Sequence, residues 1–182
     1  DANVLQVATI TLIVLWGSNT RETHPIYFHQ VLQGVRNGAK LVFIDPLRTS
    51  SAELSDLWLG LDVVTDIALA NAVGREIIAE DFVHHPFVDH ATEGFELYRE
   101  SVEPYTLERA EKITGVPADS IRELAHLYGS ATRAQLSWTL GITEHHNATD
   151  NVFALINLAL LTGHVGRYGS GLNPLRGQNN VQ

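Results

Sequence analysis

Cysteine and methionine are both absent from the 182 residues. Without thiols the chain forms no disulfide, ligates no iron–sulfur cluster and offers no thiolate to a metal. Without an initiator methionine, and with an abrupt end at Asn179-Asn180-Val181-Gln182, it reads as a piece of a longer protein. Basic residues are scarce: 12 Lys and Arg against 21 Asp and Glu give a formal net charge of −9. Nucleic acids and anionic membranes need clustered Lys and Arg, so neither is expected as a partner. Any phosphate held here must be met by backbone N–H groups and one or two arginines. No apolar run approaches the roughly 20 residues of a membrane span, and no secretory leader pattern is seen. The expectation is a cytoplasmic protein, or a segment of an exported parent, with no direct membrane insertion.

What is present is material for one core: 45% of the residues are hydrophobic, enough for a single well-packed domain at this length. Its organising stretch is Thr11–Pro25. An apolar, partly β-branched run from Thr11 to Trp16 breaks at Gly17 into a short polar loop, and Pro25 then opens a helix. Strand, tight glycine turn and helix together make a cradle for an anion or a nucleotide. The dinucleotide fingerprint needs three glycines, however, and only Gly17 is here; a plain surface turn is the competing reading.

Phe28, Val31, Leu32 and Val35 recur at helical spacing, with Gly38 placed to end the helix. Lys40–Ile44 is a second apolar run, stopped by Asp45-Pro46, and the two runs joined by a helix form a βαβ unit with parallel strands. A polar, helical segment is expected over Ser50–Ser55 and a third strand over Leu57-Trp58-Leu59. Thr65-Asp66 can cap a helix over Ile67–Glu80 with Leu69, Val73 and Ile77 inward. From 81 to 129 short helical pieces alternate with Gly and Pro, read as a small helical insertion or flank. There Thr106 caps one helix, and a later one carries Ile121, Leu124, Ala125 and Tyr128 as its apolar stripe, closed by Gly129. Ala134–Leu140 is a strand whose alternation with Gln135, Ser137 and Thr139 predicts one polar face. Thr149 or Asp150 caps an apolar helix ending near Gly163, and residues 164–182 form a glycine-rich cofactor or substrate loop. The fold class is α/β: a Rossmann-like, mostly parallel sheet with flanking helices, one domain over 1–182.

With strand two on one side of strand one and the Ala134 strand on the other, the loops at Gly17–Thr20, Asp45–Arg48 and Gly141–Glu144 meet at a topological switch point. Ligands of open α/β sheets bind there, and an acidic residue at the end of the second strand, here Asp45, addresses a ribose or base edge. A turn aspartate before Pro46 is the plainer alternative, but three convergent loops favour the nucleotide site. His84-His85, His90 and His145-His146 look like metal ligands. Adjacent helical residues point about 100° apart and chelate poorly together, so they are read as mostly solvent-exposed, and no metal ligand is assigned. Arg176, set among glycines and amides in NPLRGQNN, suits bidentate grip of a carboxylate or phosphate, with surface exposure at a chain end as the alternative.

WGSNTRETHP, NGAKLVFIDP, ITGVPADSIRELA and ALINLALLTGHVGRYGSGLNPLRGQNNVQ resemble, in order and with compatible spacing, the catalytic subunit of molybdenum- or tungsten-dependent formate dehydrogenases, a branch of the molybdopterin oxidoreductases. The final block is the most specific part. The resemblance implies a domain holding one guanine nucleotide arm of bis(molybdopterin guanine dinucleotide), and two-electron oxidation of formate to carbon dioxide. Electrons would leave through an iron–sulfur cluster that lies in the parent protein and not in this chain. It implies Gly17, Asn19 and Glu22 along the pyrophosphate and nucleotide loop, and Asp45 and Arg48 toward guanosine with Asp66 nearby. Gly141, Thr143, Glu144 and Gln178 would border the cofactor, with Arg176 as the active-site arginine. Formate, the remaining domains of the parent chain and electron-transfer subunits are the implied partners.

Four positions depart from the family pattern. Leu47 stands where Arg is common, Val64 where Gly is usual, Glu144 for Gln and His164 for Asn. The isolated chain is expected to be inactive, with its last dozen residues ordering only on the cofactor. Two alternatives remain open at this stage. One is a non-catalytic relative such as the large iron–sulfur subunit of NADH:quinone oxidoreductase. The other is an unrelated α/β nucleotide module such as the central domain of a thiamine-diphosphate enzyme.

Overall fold

Alternation along the first strand decides the architecture. In β1 (Leu12–Trp16) all five side chains are buried. Leu12, Val14 and Trp16 enter one apolar cluster, while Ile13 and Leu15 enter another, as a two-residue period requires. A strand apolar on both faces belongs inside a parallel sheet covered by helices. The computed structural model, which describes residues 10–175, has that arrangement. β2 (Lys40–Ile44) and β3 (Leu57–Leu59) lie to one side of β1; β4 (Ala134–Trp138) and β5 (Gly171–Pro174) lie to the other. The order is β3-β2-β1-β4-β5, and every pairing is parallel.

Helices cover both faces. After β1 come the one-turn α1 (Thr20–Thr23) and α2 (Pro25–Arg36). α2 presses Tyr27, Phe28 and Val31 onto Ile13, Leu15, Leu41 and Phe43. On the opposite face α3 (Asp66–Ala79) buries Leu69, Val73 and Ile77, each side chain contributing roughly 1.5–3 kcal/mol. The stretch after it holds α4 (His85–Ala91), α5 (Phe95–Val102), α6 (Leu107–Thr114) and α7 (Ala118–Ser130). Beyond β4 follow α8 (Leu140–Thr143) and α9 (Ala148–Leu161). α3 is the hub of this face: α5, α6, α7 and α9 all pack against it. Thr106 caps α6 by accepting the Arg109 N–H at 3.3 Å, and α7 buries the four residues of its expected stripe.

Several expectations need correction. Ser50–Ser55 supplies only a 3-10 turn, Ala52–Leu54. Thr65 precedes α3 without a side-chain cap; its hydroxyl donates back to the Asp62 carbonyl at 2.6 Å. α7 runs through Gly129 to Ser130, because Gly129 lies against the Phe82 side chain and not at a left-handed cap. α9 begins at Ala148, ahead of Thr149. The strand expected to reach Leu140 ends at Trp138, and α8 starts there. The predicted polar face of β4 is not solvated. Gln135 and Ser137 are buried under α2, where the Tyr27 hydroxyl donates to Gln135 Oε1 at 3.3 Å and bonds Ser137 Oγ at 2.8 Å. Part of the glycine-rich tail, Gly171–Pro174, is β5, paired with β4. Arg176 and Gln178 lie outside the described residues.

Candidate functional site at the carboxyl edge of the sheet

The chain steps outward from β1 to β2 and β3, then crosses back to β4 and β5. The loops after β1 and β4 therefore part company above adjacent strands, which opens a crevice at the switch point. Its floor is made by two glycines. Gly17, with φ +57°, lies so close to Gly141 that a Cβ on Gly17 would stand 3.0 Å from the Gly141 carbonyl carbon. A Cβ on Gly141 would stand 2.6 Å from the Gly17 oxygen. Neither position accommodates a side chain. The Gly17 N–H continues the ladder to the Ile44 carbonyl at 2.8 Å, and the Thr139 hydroxyl donates to the Gly17 carbonyl at 2.6 Å.

The loops after β1 and β2 are tied by side chains. Ser51 Oγ donates to Asn19 Oδ1 at 3.0 Å and accepts the Arg21 N–H at 3.1 Å. Asp45, half-buried at the end of β2, accepts the Leu47 N–H at 2.9 Å in an Asx turn. Arg48 lies beyond it with its guanidinium 5.6 Å above the Trp58 ring, and the Trp58 indole N–H donates to the Asp45 carbonyl at 3.1 Å. Asp66, buried in the first turn of α3, accepts the indole N–H of Trp16 at 2.8 Å. Burial raises the pKa of Asp45, opposed by the Leu47 N–H and reinforced by the nearby Asp66 charge. Burial likewise raises Asp66, opposed by the Trp16 N–H, its own backbone amide and His145. The two carboxylates thus share one edge.

The structure brings together Gly17 with Gly141, Asn19 with the loop after β2, and Asp45 with Asp66. Glu22, Arg48, Thr143 and Glu144 are exposed around them. Sequence reasoning missed Trp16, Trp58 and His145. The last residue of the central strand must stand at the carboxyl edge, which was the available signal for Trp16. His145, set aside with the exposed histidines, is half-buried and its Nε2 bonds the Gly141 carbonyl at 2.7 Å. Of the others, His84 is half-buried and accepts the Phe87 N–H, while His85, His90 and His146 are exposed. Away from the crevice Glu76, Glu80 and His126 converge, but the Arg122 guanidinium already neutralises Glu76 at 3.2 Å.

A five-stranded, all-parallel sheet covered by helices on both faces, with its switch point between β1 and β4, defines a doubly wound α/β domain. The chain belongs to the molybdopterin oxidoreductase family, which it matches over residues 4–182. It is 43% identical over 178 residues to a formate dehydrogenase alpha subunit of Methanocaldococcus jannaschii, covering 98% of this chain and 26% of that protein. It is 41% identical over 177 residues to formate dehydrogenase H of Escherichia coli, covering 97% and 25%. Among solved structures, acetylene hydratase from Pelobacter acetylenicus superposes with a TM-score of 0.83 at 25% identity, covering 94% of this chain and 25% of that one. The chain thus spans about a quarter of the length of these relatives. Among the described residues, no helix is long and apolar enough to cross a membrane.

Proposed function

We propose that this chain is the cofactor-arm domain of a formate dehydrogenase, holding one guanosine diphosphate end of bis(molybdopterin guanine dinucleotide) in the crevice after β1, β2 and β4. The observation that carries the proposal is the close packing of Gly17 on Gly141 at the carboxyl edge of the sheet, the edge that also holds Asp45 after β2 and Asp66 in the first turn of α3. A guanosine offers ribose hydroxyls and a base edge of N–H donors, which carboxylates accept well. Two further polar atoms fit a polar ligand. Thr49 Oγ1, in the loop after β2, and Asn147 Oδ1, at the start of α9, are buried with no hydrogen-bond partner, a state that costs stability unless something supplies the missing bond.

In this reading Asp45 and Arg48 address the guanosine with Asp66 nearby, and the Gly17–Thr20 backbone with Asn19 and Glu22 lines the pyrophosphate. Gly141, Thr143, Glu144 and Gln178 border the rest of the cofactor. When bound, the molybdenum or tungsten centre supplies the two-electron redox chemistry that converts formate to carbon dioxide and a proton. This chain's own part is to seat the nucleotide and, through Arg176, to hold the formate carboxylate in a bidentate grip. The rest of the parent chain supplies the iron–sulfur cluster and any contact with electron-transfer subunits. The shared fold does not choose the reaction, since a hydratase carries it too; the formate reading rests on the relatives' names and on Arg176.

The test uses the full-length parent, purified anaerobically. Formate-driven reduction of a viologen dye should be robust and should fall at least a hundredfold in Arg176→Ala, as loss of a charged substrate contact predicts. Acid denaturation should release guanine nucleotide. Absence of formate activity in a nucleotide-loaded protein would overturn the formate assignment and leave the nucleotide site standing.

A further inference from the structure

Trp16 carries one polar group, its indole N–H, into an otherwise apolar place. It is fully buried at the end of the central strand, paired in register with Ile44 on one side and Trp138 on the other, and its ring belongs to the apolar cluster under α3. Yet its indole N–H is spent on Asp66 Oδ1 at 2.8 Å, in a buried bond spanning 50 residues of sequence. A buried indole usually finds some acceptor; that the acceptor here is a carboxylate in the crevice has a functional consequence. Trp16 is held between two neighbouring strands, so its donor is fixed. A fixed donor on Oδ1 fixes the plane of the Asp66 carboxylate and favours its ionised form against the opposing effect of burial.

We infer that Trp16 is a positioning residue for the nucleotide site: its indole N–H orients Asp66 as an acceptor for a base edge carrying adjacent N–H donors, as guanine does. The inference rests on the guanosine reading above. The groups acting electrostatically on Asp66 are Asp45 after β2, which shares a repulsive coupling with it, and His145 after α8, which favours its charge. Without the indole N–H, burial and Asp45 act against ionisation with only the Asp66 backbone amide and His145 opposing them. Asp66 then protonates at a higher pH and presents a donor where the base also presents one.

The experiment measures guanine nucleotide retained per full-length chain after gel filtration at a series of pH values. Wild type is compared with Trp16→Phe, Asp66→Asn and a variant carrying benzothienylalanine at position 16. The last keeps the bicyclic shape and replaces the N–H with sulfur, so it separates the hydrogen bond from core packing. The expected result is roughly tenfold weaker retention in both position-16 variants, the loss of one hydrogen bond to a charged group, with the pH midpoint of release moved upward. Asp66→Asn should lose more, and its release should no longer follow pH through this group. If Asp66→Asn retains nucleotide like wild type, the base-recognition reading itself falls. If Asp66→Asn fails but the benzothienylalanine variant retains nucleotide with an unmoved midpoint, the reading stands and the role of Trp16 is overturned. Loss of nucleotide in Trp16→Phe alone also overturns it, since packing would then be the cause.

Discussion

The two edges of the sheet are finished differently. At the amino edge the starts of β1 to β4 are stapled to protein. Thr11 Oγ1 donates to the Arg133 carbonyl at 2.9 Å and accepts the Arg133 N–H at 3.1 Å. Asp56 takes the Lys40 ammonium at 2.6 Å with one oxygen and the Leu41 N–H at 2.9 Å with the other. At the end of α9, His164 is buried with Nε2 bonded to the Tyr128 carbonyl at 3.0 Å. At the carboxyl edge the Asp45 and Asp66 carboxylates repel each other, Thr49 and Asn147 keep unpaired buried oxygens, and Val64 carries a φ of +71°. The β-branched side chain makes that left-handed backbone costly. The amino edge is closed by paired side chains; in the proposed reading a ligand meets the unpaired groups of the carboxyl edge.

The harshest way to break this contrast is to damage the tightest backbone contact of the open edge. Gly141→Val drives a side chain into the Gly17 backbone, and should cost about 4 kcal/mol by overpacking with no room to relax. Chemical denaturation of the full-length protein would show it as an early transition, and a wild-type midpoint would refute the two-glycine floor. Acid titration separates the edges by sign. Burial pulls His164 down to about 4 from an ordinary 6.5, with Arg167 and His84 acting in the same direction and the bond to the Tyr128 carbonyl against it. The unfolded chain therefore binds the extra proton. Stability from this site is full above pH 6.5 and is lost as the pH falls toward 4, by about 3 kcal/mol. His164→Asn should flatten that limb of the stability–pH curve. Asp45 and Asp66, with raised pKa values, act oppositely: the folded edge loses stability as pH rises through their titration. The smallest expected effect is a gain. Val64→Gly removes the left-handed strain at the expense of unfolded-chain entropy, and should stabilise by about 1 kcal/mol; a lower denaturation midpoint would show that the valine side chain earns its place.

The closed parts of the molecule were legible in the sequence. β1, β2 and β3 and the stripes of α2, α3 and α7 follow from periodicity, because apolar spacing and helix or strand period are local. β4 shows where that reasoning stops: alternation marks Gln135 and Ser137 as the odd face, but only Tyr27, more than 100 residues away, decides that this face is covered. β5 was invisible because Gly-Leu-Asn-Pro has no strand pattern of its own and exists through its pairing with β4. The site divides likewise. Gly17 and Asp45 could be placed because strand ends define the crevice. Trp58 and His145 could not, and for Trp16 only the position was legible, since their parts depend on partners that only the fold brings near.

The central position of β1 has a consequence for how the chain is made. One neighbour, β2, follows after α1 and α2, but the other is β4, and Leu12 pairs with Ala134. At typical synthesis rates roughly ten seconds separate the appearance of the two strands. Through that interval β1, apolar on both faces, has an open hydrogen-bonding edge, the kind of edge that recruits other nascent chains. Newly made protein should therefore depend on chaperone cover until residue 138 has emerged, however stable the finished sheet becomes.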